Sequence, residues 1–269
     1  MRIRIQILTI LLLLFSSVTS ADSSENRLEV PDTIQHIIIQ EQIYPIAQEG
    51  NVVALGLVGQ MYFSGKGVPK NYAKAAKWFR LAAEQGDAYS QSKLGGMYEA
   101  GLGVTKDSKE SIKWLRLAAV QGEIFAQTVL GMSYLYGNGV PQDYQEAVKW
   151  HRLAAEQGGT MSQNTLGSIY LHGVGVVQNH QEAAEWYRLG AEQGDVYSQY
   201  NLGLLYLNGQ GITQDHVLAY MWFDIVADNG HMNAREERAW IATEMTVSQI
   251  INAQEMARVC ERKSFKSCK

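Results

Sequence analysis

The stretch YFSGKGVPKNYAKAAKW, Tyr62 to Trp78, brings Gly65, Gly67 and Lys70 together. Glycines that let a backbone approach phosphate, followed by a lysine, are the parts of a nucleotide-gripping loop. Further on, Ser90 and Lys93 stand in a Ser-x-x-Lys spacing, in which penicillin-binding enzymes activate a serine nucleophile. Six histidines (His36, His151, His172, His180, His216, His231) and two cysteines (Cys260, Cys268) complete the reactive side chains worth placing.

The periodicity of the chain removes the phosphate reading. Trp78, Trp114, Trp150, Trp186 and Trp222 stand 36 residues apart, and so do Tyr62, Tyr98, Tyr134, Tyr170 and Tyr206. Gly86, Gly122, Gly158, Gly194 and Gly230 keep the same interval, with Gly50 one step before them. The Gly-x-Gly pair recurs at Gly101/Gly103, Gly137/Gly139, Gly173/Gly175 and Gly209/Gly211, while Lys70 becomes Lys106, Gln142, Gln178 and Gln214. A phosphate loop occurs once and follows a strand; an element that recurs every 36 residues is repeat architecture.

Each period reads as two helices. In the copy from Ala88, Ser90, Leu94, Met97 and Tyr98 have helical spacing, and Gly101 supplies the left-handed turn that ends this helix, A. Asp107, with Asn71, Asp143, Asn179 and Asp215 in the same slot, caps the start of helix B, which Gly122 closes. A slot on helix A is always small (Ala54, Ser90, Ala126, Ser162, Ser198, Ala234), as is one on helix B (Ala83, Ala119, Ala155, Ala191, Ala227). Small slots let helix axes approach closely, and the Tyr and Trp rows fill the space beside them. One such hairpin cannot bury its apolar face, but stacked hairpins can, so the fold class is an all-α solenoid with a continuous core.

These residues carry a resemblance. The pattern small-x-x-x-Leu-Gly-x-x-Tyr-x-x-Gly-x-Gly-Val-x-x-Asp followed by Trp and Leu-Ala-Ala-Glu-Gln-Gly is similar to the Sel-one-like repeat, a relative of the tetratricopeptide repeat. It is carried by Leu94, Gly95, Tyr98, Gly101, Gly103, Val104, Asp107 and Trp114 and their equivalents. The resemblance implies a right-handed α-solenoid of stacked helix-turn-helix repeats that binds another protein on its curved surface. The fifth copy departs from the others at Asp224, where they carry Arg, and at Asn229, where they carry Gln. Some cysteine-rich members are described as β-lactam binders or weak β-lactamases; they resemble one another through cysteine pairs inside the repeats, which this chain lacks. That activity stands as the alternative to a non-catalytic scaffold. Ser90 itself fills the small packing slot, and no Ser-Asp-Asn or Lys-Thr-Gly partner accompanies it.

The ends differ from the middle. Residues 1–20 read as a signal peptide: Arg2 and Arg4, an apolar run from Ile5 to Phe15, then small residues, with cleavage after Ser20 or Ala21. The run is about half the ~20 residues a spanning helix needs, so no membrane segment is expected after its removal. Export places the mature chain in the periplasm or outside the cell. Residues 21–32 read as a disordered polar linker and 33–50 as an N-terminal capping helix shortened or kinked at Pro45. Five repeats follow (51–87, 88–123, 124–159, 160–195, 196–231), and 232–269 supplies C-terminal capping helices, the last lidding the open end of the core. Thr246 and Gln249 form a capping-box pattern at its start. Cys260 and Cys268, close in sequence and in an exported chain, are expected to staple the tail; two free thiols or an intermolecular link are the alternatives.

No enzyme is expected, no cofactor and no metal: the histidines occupy unrelated slots, and a pair of thiolates alone makes a poor zinc site. The net charge of −4 argues against a nucleic-acid partner. The chain is read as a monomer whose partner is a protein. Fixed positions build the fold, so partner choice falls to variable ones. A face of helix A beside the core offers Tyr89, Lys93, Phe125, Val129, Met132, Tyr136, Met161, His172, Tyr197 and Asn201 as binding residues. The competing reading is that the aromatics pack between neighbouring repeats. The outer face of helix B carries Lys77, Lys113, Lys149 and Glu185 in one slot and is expected to be solvated.

Overall fold

The computed structural model describes residues 39–266 and 268. The expected signal peptide, the polar linker and the start of the N-terminal helix fall outside the described residues. Thirteen α-helices and no strand are found among those described: α1 (Tyr44–Gln48), α2 (Val52–Ser64), α3 (Tyr72–Glu84), α4 (Ala88–Ala100), α5 (Ser108–Val120), α6 (Ile124–Tyr136), α7 (Tyr144–Glu156), α8 (Thr160–His172), α9 (His180–Ala191), α10 (Val196–Asn208), α11 (His216–Asp228), α12 (Met232–Ala242) and α13 (Val247–Arg262). A π-helical turn, Ile39–Ile43, precedes α1, and Pro45 sits in the first turn of α1, where a missing N–H costs nothing.

Even-numbered helices from α2 to α12 are type A; odd-numbered ones from α3 to α11 are type B. Each A up to α10 packs on the B that follows it, and each A after the first packs on the B before it. Successive helices A also touch one another, α2 with α4, α4 with α6 and α8 with α10, more than any two helices B do.

Local chemistry sets each boundary. Asn71, Asp107, Asp143, Asn179 and Asp215 accept first-turn N–H groups of the B helices. The second glycine of the last four Gly-x-Gly pairs serves packing as well as turning. Gly103 has φ +70°, and a Cβ there would stand 2.2 Å from the backbone carbonyl carbon of Tyr72, so the loop of one repeat presses on the start of the previous helix B. The small slots are buried as the packing argument requires: Ala54, Ser90, Ala126, Ser162, Ser198 and Ala234 are all 0% exposed.

Two polar ladders run along the stack. Gln91, Gln127 and Gln163 donate to the carbonyls of Ala83, Ala119 and Ala155 of the preceding repeat and accept, at 2.8 Å, from Gln121, Gln157 and Gln193 of their own. Arg80, Arg116 and Arg152 donate to the hydroxyls of Tyr98, Tyr134 and Tyr170. The sequence departures fall where these ladders end. Asn229, a methylene shorter than glutamine, turns to the carbonyl of Ile225, and Gln199 Oε1 is left buried without a partner. Asp224 reverses the other ladder: Arg238 of α12 now donates to it at 2.6 Å.

The last helix takes a different neighbour from the helices before it. α13 packs on α11 and does not pair with α12 as a helix B pairs with its A. The sequence explains both choices. Where upstream A helices present Leu-Gly to their partner, α12 presents Arg238-Ala239. On α11, Met221 replaces the exposed Lys or Glu slot and Ile225 the neighbouring leucine; they are 0% and 1% exposed beneath Ala253, Ala257 and Cys260. Thr246 and Gln249 form the capping box at the start of α13.

Beyond α13, Cys260 and Cys268 are joined by a disulfide with Cα atoms 5.2 Å apart, and Phe265 folds back within contact of Gly194. Intact-mass measurement of protein taken from the cell, with and without reductant, should show the two-hydrogen difference of one bridge. Two alkylatable thiols in the unreduced sample would rule it out.

Candidate partner-binding surface

The proposed residues fall into three slots of helix A and the ends of those helices. Tyr89, Phe125, Met161 and Tyr197 occupy one slot in the first turn of α4, α6, α8 and α10, with exposures of 41%, 50%, 61% and 66%. Tyr136 (62% exposed) and His172 occupy the last turn of α6 and α8, both open to solvent. Lys93, Val129 and Asn201 share a middle slot and are half-buried, as is Met132. The strip thus has exposed ends on each helix and a partly covered centre.

Neither reading of the aromatics holds for all of them. Tyr89 is partly fixed. Its hydroxyl donates to Gln60 Oε1 at 2.7 Å, its ring lies edge-on to Phe79, and the Lys93 ammonium sits 5.0 Å from its centroid. Burial, with the carboxylates of Glu123 and Asp87, pushes its phenol up to about 12, so it stays a neutral donor. Phe125 rests one edge on the previous repeat, where a Cβ on Gly96 would stand 3.5 Å from its ring, and shows half its surface to solvent. Tyr197 makes an edge contact with His231. Tyr136 and Met161 are the most open of the central residues.

Comparison with known proteins places this surface in context. The family model for the Sel1 repeat matches residues 52–87, 88–123, 124–159, 160–195 and 196–231. The chain belongs to the Sel1 repeat family. Among solved structures it is similar to a protective antigen of uropathogenic Escherichia coli, at 34% identity and a TM-score of 0.76 over 87% of this chain. The chain spans 53% of the length of that antigen structure. A Sel1 repeat protein from Oxalobacter formigenes is 32% identical, with a TM-score of 0.69 over 86% of this chain and all of that one. An immunity protein from Pseudomonas aeruginosa, 20% identical with a TM-score of 0.50 over 79% of each chain, shares the fold. No curated protein matches.

Read in the Sel1 register, the surface extends further than five repeats. Trp240 on α12 lies three periods beyond Met132, in the same slot, and is 54% exposed. The outer face of helix B also differs from expectation. Leu81, Leu117, Leu153 and Leu189 are 47%, 43%, 39% and 45% exposed beside the lysines, because the slot four residues after Lys77 lies on the same side of the helix.

The catalytic candidates do not assemble. Ser90 is 0% exposed and its hydroxyl has no hydrogen-bond partner, while the Lys93 ammonium lies over the rings of Tyr89 and Phe63. Gly65 caps α2, and the Lys70 ammonium sits 5.5 Å from the ring of Tyr72. Among the described histidines, His151 is core, His172 is exposed, and His231 caps α12 against Tyr200. No group of three metal-ligating side chains occurs among the described residues, nor a helix long and apolar enough to cross a membrane.

Proposed function

We propose that this Sel1 repeat protein is a non-catalytic scaffold, exported to the periplasm or the cell exterior, that binds a protein partner on the helix-A face. Sel1 repeats mediate protein–protein interaction, which supports the general reading. The observation that carries the site is the row of Tyr89, Phe125, Met161 and Tyr197, one per repeat, each more than two-fifths exposed on helices A. Large apolar and aromatic side chains held half-open by a packed scaffold can anchor a partner as hot spots do. The fixed core cannot encode specificity, since it repeats in every copy.

The test begins with a partner captured from the cell envelope on immobilised mature protein and identified. Calorimetry on the purified pair then compares the chain with its Phe125→Ser/Tyr136→Ser variant. Because both residues are at least half exposed, the double variant is expected to stay folded and to lose about 2 kcal/mol or more of affinity. A folded double variant with full affinity would move the site elsewhere.

A further inference from the structure

One slot of the core breaks the apolar pattern. Across the five helices B it holds Phe79, Leu115, His151, Tyr187 and Phe223. Each faces a helical glycine of its own helix A, so closely that a Cβ on Gly131 would stand 2.8 Å from the His151 ring. His151 is 0% exposed. Its Nδ1 lies 3.1 Å from Ser162 Oγ of α8, which also bonds Thr128 Oγ1 of α6, and its Nε2 is buried without a partner. An imidazole in this clamp has an acceptor for one ring N–H at most and no charged partner for an added proton.

We infer that His151 makes the third repeat an acid-labile joint, at which the α6–α7–α8 sandwich opens when the imidazole takes up a proton. No charged group faces the ring from the helices around it. On α7, Glu146 and Lys149 pair with each other, Arg152 engages the Tyr170 hydroxyl and Glu182, and Glu156 and Tyr144 are exposed. α6 carries no charged side chain; its Tyr134 hydroxyl accepts from Arg116 and its Tyr136 is exposed. α8 offers Tyr170, held by Arg152, and the exposed His172.

Burial alone lowers the native imidazole from 6.5 to about 4. Between those values the unfolded or opened chain binds a proton that the closed chain does not. The closed state is therefore fully favoured above pH 6.5, loses ground as pH falls through that value, and stops losing below about 4. At pH 5 the opening equilibrium is shifted by roughly 30-fold.

The joint lies under the candidate surface. α6 and α8, the helices that clamp His151, carry Phe125, Met132, Tyr136 and Met161. Acid opening would dismantle the middle of that strip and release a bound partner. Partner release rests on the function proposed above, whereas the opening itself does not.

Hydrogen exchange on the full mature chain tests the opening without a partner. Amides of residues 124–172, corrected for intrinsic exchange, should show an opening constant about 30-fold larger at pH 5 than at pH 7.5, beyond any change in His151→Phe. Phenylalanine already fills this slot twice, and His151→Leu copies Leu115 if the larger ring misfits. An equal pH response in the wild type and either folded variant would overturn the joint. So would a native His151 that titrates above pH 6 by NMR. With the joint established, binding lost at pH 5 by the wild type and kept by His151→Phe supports gating of the surface. Binding that survives in both ties the joint to stability alone.

Discussion

Gly103→Ala should destabilise the solenoid by about 2–5 kcal/mol, although it adds one methyl group. Two costs coincide. Gly103 has φ +70°, a left-handed conformation that costs an L-residue roughly 1–2 kcal/mol. The new Cβ would also stand 2.2 Å from the carbonyl carbon and 2.4 Å from the carbonyl oxygen of Tyr72. Those atoms are backbone at the start of helix B, so the loop or the helix has to move, a further ~1–3 kcal/mol of overpacking. Gly86→Ala separates the two terms, because Gly86 has φ +94° and no atom within 4 Å of a built Cβ. It should cost only the conformational part. Urea unfolding of both variants checks this; equal losses would mean that the Gly103 contact carries no packing energy.

That contrast shows how far the sequence could be read. The register of Gly103 and its equivalents gave the loop, and the Asp and Asn caps gave the start of each helix B, because both act through local backbone chemistry. The small slots gave the close helix approach for the same reason: a side chain's size is visible in the sequence. What the sequence could not supply is which neighbour a terminal element chooses. α13 has an amphipathic pattern that fits an end lid equally well. Its place on α11 follows only when Met221 and Ile225 are seen to replace Lys and Leu while Arg238-Ala239 replaces Leu-Gly on α12. The partner surface is intermediate. Spacing put Phe125, Met161 and Tyr197 on one face, but exposure separates these from half-buried Lys93, Val129, Met132 and Asn201. The binding strip read from the five repeats ends at Asn201, whereas Trp240, on the sixth helix A that Ala234 marks, is exposed in the Met132 slot. In the sequence His151 is one of six histidines in unrelated slots; only burial and the contact with Gly131 reveal its role in the core.

Trp150→Ala is expected to cost on the order of 3–5 kcal/mol, the range for truncating a buried large aromatic. Trp150 is 7% exposed and joins Ile112, Leu115, Ala118 and Ala119 of α5 with Ala126 and Leu130 of α6 in one cluster. It reaches from its own repeat into the preceding one, so its loss removes interface energy as well as transfer energy. Its edge is tied down: Nε1 donates to Glu146 Oε2 at 2.9 Å, and the Lys149 ammonium lies 5.2 Å from the ring centroid. In a solenoid, stability is the sum of repeat terms and nearest-neighbour interfaces, and cooperativity depends on the latter. Weakening a central interface should therefore do more than lower the midpoint of unfolding. The halves on either side should begin to melt separately, which appears as a reduced denaturant slope. Trp78, half-exposed and edge-on to Tyr44 at 5.2 Å, is the control at the end of the stack: its truncation should cost less and leave the slope unchanged. A Trp150→Ala loss below about 1 kcal/mol with an unaltered slope would show that the tryptophan row does not couple the repeats.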